Sequence, residues 1–117
     1  MKKSKSTDAT LKELIEELNA KSREVGSHIW RDIAIRLTTG RACINVSKIS
    51  RYTKKNDLVA VPGKILGAGV MKHPVTAAAF SFSKQARDKI LGAGGNCISF
   101  RELMKKNQKG SRVVILE

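Results

Sequence analysis

Apolar side chains recur at intervals of three and four residues near the start of the chain: Leu11, Leu14, Ile15 and Leu18. This spacing places them on one face of an amphipathic helix. Thr10 and Glu13 stand at the spacing of an N-terminal capping box. The pattern predicts a first helix from about Leu11 to Arg23.

The segment before this helix is polar and basic. Residues 1–7 read MKKSKST and offer little that a core could hold. We therefore expect residues 1–10 to form a basic flexible arm, which either orders against a polyanion or has no role of its own.

A second helix is predicted directly after the first. Gly26 stands where a helix C-cap belongs, and Ser27 can cap the helix that follows. Its inward positions again share helical spacing: Ile29, Trp30, Ile33, Ala34 and Leu37. Residues 11–40 are thus predicted as a helical hairpin with Trp30 in the core. Helix-turn-helix DNA reading is disfavoured, because the second helix begins HIWR and offers few polar side chains for base edges.

After residue 40 the pattern changes to that of short strands. Val59 and Val61 form a β-branched run, which Pro62 is expected to end because proline cannot donate to a strand ladder. The segment Val75–Phe82 reads as a strand, and its alternation places Phe80 and Phe82 on one side.

The rest of the chain alternates between helices and strands. Ser83 can cap a third helix, and Ser99 with Glu102 forms a second capping box. The predicted elements are a helix from Lys84 to Leu91, a strand from Asn96 to Phe100, a helix ending at Lys106 and a strand from Val113 to Leu116. The predicted fold class is α/β: two N-terminal helices, a basic connector, and then a compact unit of short strands alternating with helices. Residues 11–117 would form a single domain, with the α/β body over residues 41–117.

Charge narrows the class of partner. The chain carries 23 lysines and arginines against 10 aspartates and glutamates, a formal net charge of +13. Between Ile33 and Arg87 there are ten cations and one acid, Asp57. A surface whose charges serve only to keep the protein soluble would mix positive and negative side chains. The imbalance favours a polyanionic partner, and nucleic acid is the first candidate.

Two stretches of this cationic segment are candidate contacts for phosphate. In residues 38–56, basic side chains recur every few positions, Val46 and Ile49 can anchor a short helical turn, and Tyr52 could stack on a base. Hydroxyl and amide groups in the same stretch can bond phosphates or 2′-hydroxyls: Asn45, Ser47 and Ser50. In residues 59–71, VAVPGKILGAGVM, glycines allow positive φ and a close backbone approach, with Lys64 at the rim.

Nucleotide-binding loops and metal sites do not fit the sequence. Ala68 stands where a P-loop needs its second glycine, and Lys72 stands where a dinucleotide fingerprint needs a small residue. The two cysteines and two histidines have no metal-ligand spacing, so we predict no metal or cofactor. We interpret both cysteines, Cys43 and Cys97, as small buried hydrophobes.

Enzymes and membrane proteins are also disfavoured. No acid, base and nucleophile can be assembled from the pattern, so we predict neither catalysis nor a small-molecule substrate. The sequence has no apolar leader and no run of about 18 apolar residues, which predicts a cytosolic protein without a membrane partner.

Three ordered blocks of the chain resemble one family: INVSKISRY at residues 44–52, VPGKILGAGV at residues 61–70 and FSKQA at residues 82–86. They are similar to the archaeal and eukaryotic large-ribosomal-subunit protein eighteen-e family, which is related to bacterial large-subunit protein fifteen. The likeness spans about the whole chain after residue 10, and the segment V-P-G-K-x-L-G-x-G is its most specific part.

The resemblance implies a structural constituent of the large ribosomal subunit that binds large-subunit ribosomal RNA. It implies neighbouring large-subunit proteins as further partners, a cytoplasmic location and no catalytic activity; the length is archaeal-like. The alternative is a non-ribosomal, chromatin-type nucleic-acid-binding protein, which would bind duplex DNA as well as RNA.

The candidate RNA-binding residues come from two arguments. The resemblance, carried over residue by residue, implies Asn45, Lys48, Arg51, Gly63, Lys64, Gly67, Gly69, Ser83 and Lys84. Charge and hydrogen-bonding capacity add Arg41, Ser47, Lys54, Lys55 and Lys72. We expect the cations among them to share one surface, beside glycine turns that are open to solvent.

Overall fold

The computed structural model of the protein describes residues 2–117, with side-chain environments from residue 10 onward. In chain order the elements are α1 (Lys2–Val25), α2 (His28–Thr39), β1 (Ala42–Asn45), α3 (Val46–Tyr52), β2 (Leu58–Leu66), β3 (Thr76–Phe82), α4 (Lys84–Gly92), β4 (Asn96–Ile98), α5 (Phe100–Lys106) and β5 (Val113–Ile115). The order confirms the α/β class and the two N-terminal helices.

Five parallel strands form one sheet in the order β1–β2–β3–β4, with β5 also paired to β2. The strand β2 is long enough for β5 and β1 to share its free edge. β5 pairs with residues 58–60 of β2, and β1 pairs with residues 63–66. Because the strands are parallel, β1, β2 and β3 finish at the same end of the sheet, which we call the carboxyl end. The opposite end, where β2, β3, β4 and β5 begin, is the amino end.

Helices cover both faces of the sheet. On one face α1, α2 and α5 build a core around Leu18, Trp30 and Leu103. On the other face α3 and α4 supply Ile49 and Ile90 to a second core. Each apolar side chain that leaves water contributes on the order of 1.5–3 kcal/mol, so the two cores hold the helices against the sheet. Trp30 is fully buried, as predicted, and its indole Nε1 donates a hydrogen bond to the carbonyl oxygen of Gln108 at 2.7 Å.

The predicted caps are confirmed for the last two helices. Ser83 Oγ accepts from the backbone N–H of Ala86 at 3.1 Å. Ser99 and Glu102 form a complete capping box at the start of α5. Ser27 is the N-cap residue of α2, but its hydroxyl donates to the carbonyl oxygen of Lys109 instead of capping the helix.

The prediction that Pro62 ends its strand is wrong. β2 continues through Pro62 and Gly63 to Leu66. Proline is tolerated there because the partners of β2 change at this point: β5 pairs up to Ala60, β1 begins opposite Gly63, and the register with β3 shifts between Val61 and Lys64. The missing N–H of Pro62 therefore breaks no regular ladder bond.

Two N-terminal boundaries also differ from the predictions. α1 begins at Lys2, so the predicted start at Leu11 with Thr10 as cap is wrong; most of the preceding residues tolerate a helix at little cost. The strand β1 was not predicted, because its four residues carry a single buried apolar side chain, Ile44. It forms through pairing with β2. The flexibility of residues 1–10 stays a prediction, and Met1 lies outside the described residues.

The predicted environments of the two phenylalanines and of Cys43 are also wrong. Phe80 packs against the core under α1, α2 and α5, whereas Phe82 packs against the core under α3 and α4. The register shift opposite Pro62 changes the alternation, so the two rings do not face one side. Cys43 is exposed, because it lies on the short strand β1 and faces away from the second core; Cys97 is partly buried.

Candidate nucleic-acid interface

Three chain segments meet at the carboxyl end of the sheet, where β1, β2 and β3 finish. The turn after β1 bonds to the loop after β2: the N–H of Ala68 donates to Asn45 Oδ1 at 3.1 Å, and the N–H of Ser47 donates to the carbonyl oxygen of Ala68 at 3.3 Å. The turn after β3 is tied in by the N–H of Ser83, which donates to the carbonyl oxygen of Ile65 at 2.9 Å. Parallel sheets of this kind bind ligands at the carboxyl ends of their strands.

The loop over residues 67–72 reaches the surface in its middle, at residues 68–70. Ala68, Gly69 and Val70 are exposed, and Gly69 has φ +93°. A Cβ at Gly69 would also overlap the side chain of Ser47. Position 69 therefore requires glycine for both its backbone angle and its space.

A lysine that sequence reasoning did not single out fixes the shape of this loop. Lys89 Nζ donates to the carbonyl oxygens of Gly67 at 2.7 Å and Gly69 at 2.6 Å. Lys89 lies one helical turn after Gln85 on α4, and Gln85 packs against Gly67. The i, i+4 spacing of Gln85 and Lys89 places both side chains on one face of α4. This spacing indicates a contact with the loop only when α4 is known to face it.

Beside the loop, α3 forms a cleft of about 340 Å³ that is lined by Ser47, Ser50, Arg51, Val70 and Lys72. Ser50 Oγ accepts from the backbone N–H of Lys72 at 3.1 Å. Arg51 and Lys72 are exposed, and the guanidinium of Arg51 lies 5.9 Å from the ring centroid of Tyr52, itself exposed. The cleft thus combines two cations with hydroxyl groups, and Tyr52 lies beside Arg51.

On the other side of the loop lies the first turn of α4. Lys84 is exposed at the start of this helix. Ser83 is half-buried, and its hydroxyl is used as the helix cap. Asp57, the one acid between Ile33 and Arg87, precedes β2 at the amino end of the sheet, away from this surface.

The prediction that Lys48, Arg51 and Lys64 share one surface is wrong. Lys64 is exposed, but it pairs in register with Cys43 and points away from the core that α3 covers, to which its neighbour Ile65 belongs. Successive strand residues face opposite sides of a sheet. Lys64 and Arg51 are therefore on opposite faces.

The side chain of Lys48 points toward the last residue of the chain and away from the cleft. Its Nζ donates to the backbone carbonyl oxygen of Glu117 at 2.5 Å, and the side chain of Glu117 pairs with Arg36. Glu117 thus joins α2 to α3, and Lys48 contributes to this junction instead of the cleft.

Two of the three glycines expected to be open to solvent are buried. A Cβ at Gly63 would overlap the backbone of Ala42, so Gly63 allows β1 to approach β2. A Cβ at Gly67 would lie 2.6 Å from the side-chain carbons of Gln85. Both glycines serve packing, and only Gly69 has the expected exposed turn.

The remaining predicted cations lie away from the carboxyl end. Lys54 and Lys55 are in the turn before β2, where the N–H of Lys54 donates to Asp57 Oδ2 at 2.8 Å. This turn belongs to the amino end of the sheet. Arg41 precedes β1 and lines a separate depression with α1 and α2 residues.

The carboxyl end of the sheet and the cleft beside it therefore contain seven of the predicted residues: Asn45, Ser47, Arg51, Gly69, Lys72, Ser83 and Lys84. Exposed cations, hydroxyls and an exposed backbone loop can bind the phosphates and sugars of a nucleic acid without reading its bases. Among the described residues, no three His, Cys, Asp or Glu side chains are placed to hold a metal ion. In the same part of the chain, no helix is long and apolar enough to cross a bilayer.

Known proteins resemble this chain over nearly its whole length. The family model for ribosomal protein 60S L18 and 50S L18e matches residues 1–117. The large ribosomal subunit protein eL18 of Methanococcus maripaludis is 44% identical over 99% of this chain and 99% of its own length. The eL18 proteins of Methanothermobacter thermautotrophicus and Methanospirillum hungatei are 41% identical over 100% and 99% of the two chains and 50% identical over 91% and 90%. With a family model that covers the chain and relatives of this similarity, the protein belongs to the ribosomal protein 60S L18 and 50S L18e family.

Proposed function

We propose that the protein is a structural constituent of the large ribosomal subunit and binds large-subunit ribosomal RNA at the carboxyl end of its sheet. The observation that carries the proposal is the meeting of exposed Arg51, Lys72 and Lys84 around the exposed loop 67–72, in a chain whose relatives are large-subunit proteins by name. The role is structural and not catalytic.

The chemistry of the surface suits folded RNA. Lysine and arginine neutralise phosphates, and serine hydroxyls and backbone groups bond phosphates and 2′-hydroxyls. The loop is held by the side chains of Asn45 and Lys89 before any partner arrives, so little conformational entropy is lost on binding. Recognition is then by shape and phosphate position, without base reading.

We also propose a cellular location and binding partners for the protein. In the assembled subunit the protein lies in the cytoplasm, with ribosomal RNA on the carboxyl end of the sheet and neighbouring large-subunit proteins on other surfaces. A protein that is found mainly off ribosomes and binds duplex DNA equally well would instead be of the non-ribosomal type.

Sedimentation of tagged protein from a cell lysate tests the proposal. The variant Lys72→Glu/Lys84→Glu should fold, because both side chains are exposed, but should be strongly depleted from the large-subunit peak. The control Lys12→Glu/Lys105→Glu changes the net charge equally at exposed positions outside this surface and should sediment like the wild type.

Two results would contradict the proposal. If the wild-type protein sediments away from the large subunit, the ribosomal role fails. If the Lys72→Glu/Lys84→Glu variant enters subunits as well as its control, the carboxyl end is not the RNA-binding surface.

A further inference from the structure

The side of α1 that faces α5 differs in charge from the rest of the molecule. Helical spacing places four glutamates, an alanine and a single lysine on this flank of α1: Glu13, Glu16, Glu17, Ala20, Lys21 and Glu24. Arg101, Met104 and Lys105 of α5 lie opposite this flank. Four acids therefore meet three cations here, although the chain as a whole carries a net charge of +13.

A groove of about 360 Å³ separates the two helices, and we call it the α1–α5 groove. It is lined by Glu17, Ala20, Lys21, Glu24, Arg101, Met104 and Lys105. Ala20 is exposed on one bank, and Met104 is buried at the base. A methionine side chain is flexible and can adjust to an apolar group that enters. The middle of the groove is therefore apolar, and charged side chains form its rim.

Most cations at this rim are already paired within the protein. Arg101 donates to Glu17 at 2.8 Å, and the ammonium of Lys21 lies 3.1 Å from Glu24. Among residues 10–117, Lys105 is the one cation of the groove that is in no ion pair. The rim therefore offers little positive charge to a polyanion.

Two glutamates beyond one end of the groove have no such partner. Glu13 and Glu16 are exposed, and neither is in an ion pair within residues 10–117. The hydrogen bond to Glu17, with a smaller contribution from the charge of Glu13, raises the pKa of Arg101; Glu13 thus lies near the Arg101 end. The rise from Glu13 to Ala20 is about 10 Å at roughly 1.5 Å per residue, a distance that an extended chain covers in about three residues.

We infer that the α1–α5 groove binds a basic segment of another protein. One apolar side chain of that segment enters between Ala20 and Met104, and a lysine or arginine about three residues away meets Glu13 and Glu16. The inference rests on the proposed function and deepens it, because the partner is then a neighbouring protein of the large subunit.

The chemistry of the groove favours a protein over RNA. Exposed glutamates repel phosphates, so the field on this side opposes a nucleic acid. An apolar centre inside a polar rim is instead the usual anatomy of a protein–protein interface. Charge complementarity then selects a cationic segment and orients it along the groove.

Photo-crosslinking in purified large subunits tests the inference. In one variant the photoreactive residue benzoylphenylalanine replaces Ala20, which is exposed at the groove; in a second it replaces Lys84 at the carboxyl end of the sheet. After irradiation, position 20 should be linked to a peptide of another protein that has a lysine or arginine about three residues from the linked apolar side chain. Position 84 should be linked to RNA.

Two charge variants, each combined with the photoreactive residue at position 20, make the assay specific. Glu13→Lys/Glu16→Lys should lower the yield of crosslink per incorporated protein at least tenfold, because it reverses the charges that attract the partner. Asp32→Lys/Asp88→Lys changes the net charge equally at exposed positions outside the groove and should give the same yield as the parent.

The outcomes separate the inference from the proposed function. Failure of the protein to enter large subunits would sink the proposed function, and the inference would fall with it. If the protein enters subunits, a link from position 20 to RNA, to a second copy of this chain or to a segment without cations would overturn the inference alone. The absence of any link, or equal yields from the two charge variants, would overturn it as well.

Discussion

At the scale of residues, Gly69 and Lys89 determine the shape of the exposed loop. Gly69 supplies a backbone angle that other residues rarely adopt, and Lys89 bonds the carbonyl oxygens on both sides of Ala68. Neither residue needs to touch RNA in order to matter for binding. Their effect should be visible in the stability and rigidity of the loop.

The first prediction concerns Gly69→Ala. The substitution combines a strained φ with an overlap of the new Cβ on Ser47, and we expect it to lower the free energy of unfolding by about 1–3 kcal/mol. Urea denaturation measures this loss. The control is Gly92→Ala at the end of α4, where a Cβ meets nothing within 4 Å and φ is not in the left-handed region. Equal stability of the two variants would contradict the role assigned to Gly69.

The second prediction concerns Lys89→Met, which keeps the apolar stem and removes both hydrogen bonds to the loop. We expect faster hydrogen exchange at Ala68 and Gly69 and an RNA affinity lower by about tenfold, or ~1.4 kcal/mol. The slope of log affinity against log salt should hardly change, because Lys89 is engaged with the loop and not with a phosphate.

Lys84→Met serves as the comparison for that slope. Loss of one phosphate contact should flatten the slope by about 0.7–0.9. If Lys89→Met flattens the slope as much as Lys84→Met while loop exchange stays unchanged, Lys89 contacts RNA directly and does not position the loop.

Residue identities in the site were only partly predictable. Charge and the family resemblance together identified Arg51, Lys72 and Lys84, all of which are exposed. The glycines could not be assigned in the same way, because a glycine in sequence has the same appearance whether it permits a turn, as Gly69 does, or the approach of a strand, as Gly63 does.

At the scale of elements, α1 is joined to α5 by a bidentate ion pair. Arg101 donates to the two carboxylate oxygens of Glu17 at 2.8 and 2.9 Å. The hydrogen bond from Arg101 lowers the pKa of Glu17 below its ordinary value. Both side chains are close to half exposed, so the pair is expected to contribute only about 0.2–1 kcal/mol.

The third prediction follows from the direction of that pKa shift. Since the folded-state pKa of Glu17 is depressed, the pair stabilises the protein fully above the unfolded-state pKa, and the contribution is lost as the pH falls through the folded-state value. Arg101→Gln should therefore be less stable than the wild type at pH 7, and the difference should vanish in strong acid. Urea denaturation across this pH range measures it, with Lys12→Gln as control. A difference that persists in acid would contradict the role of the pair.

Elements were predictable where local chemistry decides them. The capping box of Ser99 and Glu102 begins α5 as predicted, and Ser83 caps α4. Elements that depend on distant partners were not: β1 exists through its pairing with β2, and β2 passes Pro62 because its neighbours change there. Pairing of this kind cannot be read from local propensity.

At the scale of the whole molecule, topology decides which cations act together. Lys54 and Lys84 are both exposed cations, yet Lys54 precedes β2 and Lys84 follows β3, so the parallel strands place them at opposite ends of the sheet. The sequence therefore indicated a polyanionic partner through its net charge of +13, but not the division of that charge between two ends. That division requires the strand order and register.

Lysine labelling with a small acetylating ester, on the free protein and on purified large subunits that contain it, tests the central claim most directly. We expect Lys72 and Lys84, both exposed in the free protein, to be acetylated readily in solution and to be strongly protected in the subunit by bound RNA. Removal of the RNA with nuclease should restore their labelling. Equal acetylation of both lysines in free protein and in intact subunits would contradict an RNA-binding surface at the carboxyl end of the sheet.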